Sequence, residues 1–546
     1  MKKIILRFSV AIFAVISIAV TVDAQFRTGT FAITNARIVT VSGATVESGT
    51  LVVRNGLIEA VGENVKVPAD AVTIDGTGLT VYPGLIDADS TLGIPASPPR
   101  TPGQNSSQDS PSNSNYPDGL QPEKTAFDQL KAGDQQFETQ RNTGITSALT
   151  VGNEGIFNGR SAFINLSGES VSAMVIRSPF ALHVSFTTLR GGQYPSSLMG
   201  TFSAMRQMFL DTQRLVEIQK LYASNPRGIK RPEADASLQA LIPVVTGSMP
   251  VVFNANSERE IIRALDLAKE FNLKAIISGG FEAWKVANRL KSQNVPVLLS
   301  LNFPERTAAD AKDADPETME TLRLRVEVPK NAARLKEAGV KFAFQSGGMK
   351  NLSKDFIGNL GKTVQSGFSP EDAIRAATLG AAELIGVSNV TGSLEQGKIA
   401  NLFAVRGDIF SKDKQITHVF VDGVLYEQKE KPKSDEKKPN GSAAANVAQF
   451  SGKWTVNIDI PGMPTAATLD FTQDGAALGG TMQSQFGESR IVDGKATADG
   501  FSFTTTVEFG GQSFDIFVTG KKSGEKIEGS ITSPQGAIPF SGNKLP

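Results

Sequence analysis

The stretch from Val81 to Gly93, VYPGLIDADSTLG, constrains the fold of this chain more than any other. An apolar run rich in β-formers leads into it, as into a buried strand. Asp87 and Asp89 close that strand two residues apart, so their carboxyls share one face, opposite to Ile86.

The segments on either side fit this strand into a larger plan. Before it, Phe31 to Val41 alternates in the manner of a half-buried strand, and Leu51 to Gly62 reads as a hairpin turning at Asn55-Gly56. Asp75-Gly76-Thr77-Gly78 is a further turn. After it, helix-period and strand-period segments alternate over residues 83–391, as in a βα barrel. Residues 96–118 interrupt the alternation with Ser, Pro, Asn and Gln and read as a flexible loop on the face where barrel active sites lie, either a lid or a tolerated insertion. Residues 392–402 and 416–426 return to strand and turn patterns.

Several of these segments resemble the amidohydrolase superfamily, in an imidazolonepropionase-like form. PGLIDAD is similar to the family's first barrel strand, PGLIDxHxH, with Asp89 and Thr91 where its two histidines stand. Asn142 to Val151 resembles a family strand after a helix, and Gly155 to Asn165 resembles a subgroup of exported members. PVVFNANS from Pro250 is similar to PVxxHAxs, with Asn254 at the histidine. Ser278 stands where a fourth histidine is usual. In Lys341 to Gly348, Ser346, or Gln345 one register away, stands where the family has the aspartate that is both metal ligand and base. Thr378 to Ala382 and the GSLEQGKIANL run from Gly392 are also similar to family segments. The resemblance covers about 30–427. It implies an α/β chain: a TIM-like (β/α)8 barrel over 83–391 and a small composite β-sandwich built from 27–82 and 392–427.

The resemblance also implies a zinc site of four histidines and one aspartate, which this chain cannot fill. It has two histidines in all, His183 and His418, and no cysteine. Of Asp89, Thr91, Asn254, Ser278 and Ser346, only Asp89 is a good anionic ligand, because Zn²⁺ prefers imidazole, thiolate and carboxylate. His183 lies in an apolar strand, matches no ligand motif, and reads as a packed, hydrogen-bonded residue. Asp87 and Asp89 are weak candidates for a hard-cation site. No cofactor and no confident catalytic residue is therefore expected. Loss of the ligands removes the bound hydroxide and the Lewis acid, and Ser346 in place of aspartate removes the base. The leading expectation is a non-catalytic family member that binds a small molecule or peptide, or partners an active paralogue. Two alternatives stand beside it: a hydrolase of non-peptide carbon–nitrogen bonds with an unorthodox site, and a structural subunit of an envelope complex.

Lys2, Lys3 and Arg7 precede an apolar stretch from Phe8 to Val22, and Val22-Asp23-Ala24 offers a cleavage site. This is a signal-peptide pattern over 1–24 and implies a periplasmic or secreted protein. No later stretch is long and apolar enough to span a bilayer. A formal net charge of +0 argues against nucleic acid as partner. At 546 residues, two or three domains are expected. Residues 428–446, rich in Lys, Glu, Pro and Ser, read as a linker. Residues 447–546 read as a separate all-β domain of about eight strands, an antiparallel barrel or sandwich. Gly452-Lys453-Trp454 resembles the G-x-W of lipocalin-like barrels, so a binding pocket and a stability or docking module are both open for this domain.

Overall fold

The computed structural model describes residues 29–95, 116–133, 135–189, 194–304, 317–349, 352–427, 448–458, 465–485, 487–497, 500–509, 512–533 and 536–545. The leader expected at 1–24, the linker expected at 428–446 and all but the end of the loop expected at 96–118 lie outside these residues. The chain divides into two compact units, within Met1–Lys431 and Pro432–Pro546.

The first unit opens with β1 (Phe31–Ile38), β2 (Val46–Arg54), β3 (Leu57–Gly62), β4 (Val72–Asp75) and β5 (Leu79–Pro83). The hairpin between β2 and β3 turns at Asn55 and Gly56, both with positive φ, as a two-residue turn matched to strand twist requires. After the barrel come β16 (Leu402–Arg406), β17 (Gln415–Val421) and β18 (Val424–Glu427). The two flanks join as one continuous eight-stranded sheet, ordered β18-β17-β16-β5-β1-β2-β3 with β4 beside β1. The seam is the antiparallel pairing of β16 with β5, from Leu402↔Pro83 to Arg406↔Leu79. Phe31, Ile33, Leu51, Val81, Leu402 and Phe420 form its apolar core.

The barrel follows: β6 (Leu85–Ser90), β7 (Ile145–Thr150), β8 (Phe157–Arg160), β9 (Ala162–Asn165), β10 (Val175–Arg177), β11 (Leu182–Ser185), β12 (Val251–Ala255), β13 (Ala275–Gly279), β14 (Val297–Ser300) and β15 (Phe342–Gln345). Strands β11 to β15 are parallel neighbours, and β6 is parallel to β7. One position departs from the all-parallel expectation. There the chain runs the other way, β8 pairing antiparallel with β11 and β9 with β7. A single segment thus joins the four-stranded sheet to the six-stranded one. The other junction lies between β15 and β6. It has no ladder among the described residues and is bridged by Ser346 N–H donating to Asp87 Oδ1 at 2.9 Å, while Ile86 N–H turns instead to Ala377 O at the end of the helix Pro370–Ala376, at 2.8 Å.

Gly84 lets β6 lie against β7, because a Cβ there would sit 2.0 Å from Thr146 Oγ1. The helix Glu258–Glu270 starts in a capping box: Ser257 accepts from Glu260 N–H while Glu260 accepts from the Ser257 N–H. Its buried side, Ile261, Ala264, Leu265 and Ala268, follows helical spacing. Among the described residues no helix is long and apolar enough to cross a membrane.

The second unit comprises β19 (Gly452–Ile458), β20 (Thr465–Asp474), β21 (Ala477–Ser484), β22 (Gly487–Arg490), β23 (Val492–Ala496), β24 (Gly500–Phe509), β25 (Gln512–Ser523), β26 (Lys526–Ser533) and β27 (Gly536–Lys544). The order β20-β19-β27-β26-β25-β24-β23-β21, with β21 pairing back to β20, closes an eight-stranded antiparallel barrel; β22 is an extra strand on β21. Alternate residues such as Trp454, Val456 and Ile458 on β19, and Leu469 and Phe471 on β20, face one buried apolar cluster. Aromatic side chains crowd it, with Phe501 5.1 Å from Phe450 and 5.2 Å from Phe471 between ring centres.

Candidate functional site

The carboxyl ends of the barrel strands gather a polar cluster. In the ladder, Ser185 of β11, Asn254 of β12 and Ser278 of β13 stand side by side, and His183 lies two residues nearer the start of β11. Asp89, at the end of β6, reaches across to this row. Ser278 Oγ donates to Asp89 Oδ2 at 2.5 Å, and Asp89 Oδ1 lies 3.6 Å from His183 Nδ1. Gln345 Nε2 donates to Ser278 Oγ at 3.3 Å. Asp87 Oδ1 receives the N–H groups of Ser346 and, at 3.4 Å, Asp89. On the other side Asn254 Nδ2 donates to Ser185 Oγ at 2.9 Å, and Ser185 donates to Asn158 Oδ1 at 2.8 Å.

Of the residues singled out in the sequence, Asp89 and Ser278 are in direct contact. Asn254 is their neighbour by register but bonds toward Ser185. Ser346 enters through its backbone N–H, and Gln345 supplies the side chain on Ser278. Thr91 lies exposed past the end of β6, with no described side-chain bond to the others. His183 was expected as a hydrogen-bonded core residue. It is fully buried, but among the described residues neither ring nitrogen has a hydrogen-bond partner, and it faces Asp89. The alternation Leu182-His183-Val184-Ser185 was the available signal: it puts His183 and Ser185 on one face. Nothing local in the sequence marks Asn158, which joins the cluster because β8 runs antiparallel.

Burial sets the electrostatics. It pushes both the Asp87 and Asp89 carboxyls up to about 7; hydrogen bonds from Ser346 and Ser278 respectively pull the other way. It drives the His183 imidazole down to about 3, so the ring is neutral at pH 7. The Asp89 side chain keeps 12% exposure and is the opening of this buried group toward solvent.

The zinc implied by the family does not fit these residues. Asp89 Oδ2 is engaged by Ser278 and Asp87 Oδ1 by backbone N–H groups. Beyond the second oxygen of each carboxyl, the remaining groups are one imidazole and neutral hydroxyls and amides, which falls short of the imidazole-rich set Zn²⁺ prefers. Among the described residues no three His, Asp or Glu side chains are grouped to hold a metal ion.

The model of the Amidohydrolase family matches residues 243–426. An amidohydrolase from Thermotoga maritima MSB8 superimposes with a TM-score of 0.61 at 24% identity, covering 73% of this chain and 100% of that one. A Xaa-Pro dipeptidase with methionine bound in its active site gives a TM-score of 0.45 at 16% identity, covering 73% of this chain and 100% of its own. A prolidase complexed with N-methylphosphonate-L-proline gives a TM-score of 0.45 at 15% identity with the same coverage. No curated protein matches. The matched segment runs from the helix before β12, through the strands whose ends carry Asn254, Ser278 and Ser346, to β18, and over it the chain is similar to the Amidohydrolase family.

Proposed function

We propose that this is an exported amidohydrolase-family protein, periplasmic or secreted, whose barrel mouth binds a small molecule or peptide and does not carry out metal-assisted hydrolysis. One observation carries the reading. The strand ends that would cradle a metal hold neutral side chains already committed to one another in two sets, Gln345 on Ser278 on the buried Asp89 carboxyl, and Asn254 on Ser185 on Asn158. Asp87 Oδ2, Gln345 Oε1 and the His183 ring nitrogens are buried without partners among the described residues, which leaves polar capacity for a bound molecule or ordered water.

The test is metal analysis of the purified protein beside a screen of amide, lactam and N-acyl substrates. The expected result is metal well below one per chain and no turnover. One tightly held Zn²⁺ per chain with turnover would overturn the proposal.

A specific observation favours a second reading, a hydrolase of non-peptide carbon–nitrogen bonds. A carboxyl held near 7 beside a hydroxyl is tuned for proton transfer at neutral pH. The arrangement is not a nucleophilic triad, because Ser278 donates to Asp89 and the imidazole lies on the far side of the carboxyl. Turnover without metal, abolished in Asp89→Asn, would establish this reading in place of the first.

A further inference from the structure

A concavity lies at the end of the barrel away from the mouth cluster, where strands β12 to β15 begin. Its volume is about 1170 Å³, and Pro250, Ala275, Pro296 and Phe342 mark the strand starts around it. Its floor is apolar: Phe180, Leu273, Val295 and Phe342 belong to the core yet keep 5%, 9%, 7% and 9% exposure.

The rim is cationic, although the chain as a whole is neutral. Its two acids are already engaged, Asp372 with Lys336 at 2.5 Å and Glu383 with Arg375 at 2.8 Å. Lys269, Lys274, Lys291 and Lys341 have no carboxylate within ion-pair distance among the described residues. Helix ends account for part of this charge. Lys269 and Lys291 lie in the last turns of Glu258–Glu270 and Ala287–Ser292, where a cation answers the helix dipole. Lys274 and Lys341 have no such role. They immediately precede β13 and β15, with the start of β14 between them. Lys291 is also drawn in against the wall: its Nζ lies 3.2 Å from where a Cβ on Gly339 would be.

An apolar floor under a ring of unneutralised ammonium groups complements a ligand with an apolar body and a negative head. We propose that this basin is a second binding site, for a free small amphipathic anion: an aromatic or acyl group bearing a sulfonate, carboxylate or phosphate. The proposal is independent of what the barrel mouth does, since none of the residues of the mouth cluster lines the basin.

The probe is 8-anilinonaphthalene-1-sulfonate, titrated into the full chain by fluorescence and calorimetry. Inorganic pyrophosphate serves as competitor, and anionic phosphatidylglycerol vesicles form a separate arm. The expected result is one saturable site per chain, competed by pyrophosphate and weakened as salt screens the lysines. The charge reversal Lys274→Glu with Lys341→Glu should weaken it by about tenfold or more. Both side chains are exposed, and Lys274→Ala with Lys341→Ala serves if the reversal does not fold. The same affinity in a folded variant, binding indifferent to salt, or no saturable binding overturns the proposal. Binding to vesicles but not to the soluble probe overturns it in favour of a membrane surface.

Discussion

Burial distributes protons among Asp87, Asp89 and His183, and that has a measurable consequence. The two carboxyls titrate near 3.8 when unfolded and about 7 when folded. Their contribution to stability is complete below pH 3.8 and is lost as pH rises through 7. His183 goes the other way, from 6.5 down to about 3, so its contribution is present above 6.5 and is lost as pH falls through 3. Asp89→Asn isolates one carboxyl. The amide oxygen still accepts from Ser278, and its NH₂ faces the unpartnered His183 Nδ1. In urea unfolding the variant should match the parent near pH 4 and exceed it at pH 8, by on the order of a few kcal/mol. A gap that does not widen with pH would show that Asp89 is not held in its acid form by burial.

At the level of strands and helices, the sequence was readable wherever the cause is local. Asn55-Gly56 marks its own turn, Ser257 and Glu260 mark their own helix start, and Pro83-Gly84 marks the entry to β6. Gly84→Ala tests the last of these. The added methyl would press on Thr146, and the expected loss is about 1–3 kcal/mol in denaturant unfolding of the first unit. A neutral outcome would mean that β6 and β7 can part at this point. What the sequence concealed depends on partners far away in the chain. The reversed segment Phe157–Asn165 has ordinary strand composition, and only its pairing with β11 and β7 fixes its direction. Asn158 and the contact of His183 with Asp89 follow from that pairing and from the barrel junctions, not from any motif. The strand-end places of Asn254 and Ser278 were legible because they fall inside recognisable strand wording. Thr91 was legible by the same wording, yet it lies exposed beyond the strand.

For the whole molecule, two compact units imply two unfolding events. Trp454 is fully buried in the second unit, and its indole N–H donates to Phe450 O at 2.7 Å. Trp454→Ala should cost about 3–5 kcal/mol and lower one calorimetric transition while leaving the other in place. Both transitions moving together would mean that the units unfold as one. The closed ring of the second unit also bears on how this protein keeps company. Among the described residues its interior is lined by aromatic and aliphatic side chains packed on one another. A ring whose strands all have partners denies a neighbour the open hem along which sheets stitch together. The short appended strand Gly487–Arg490 is the one loose thread among the described strands, and Glu488 and Arg490 put charge on it. Whatever meets this unit must grip its outer wall by side chains, where Phe517 stands 48% exposed.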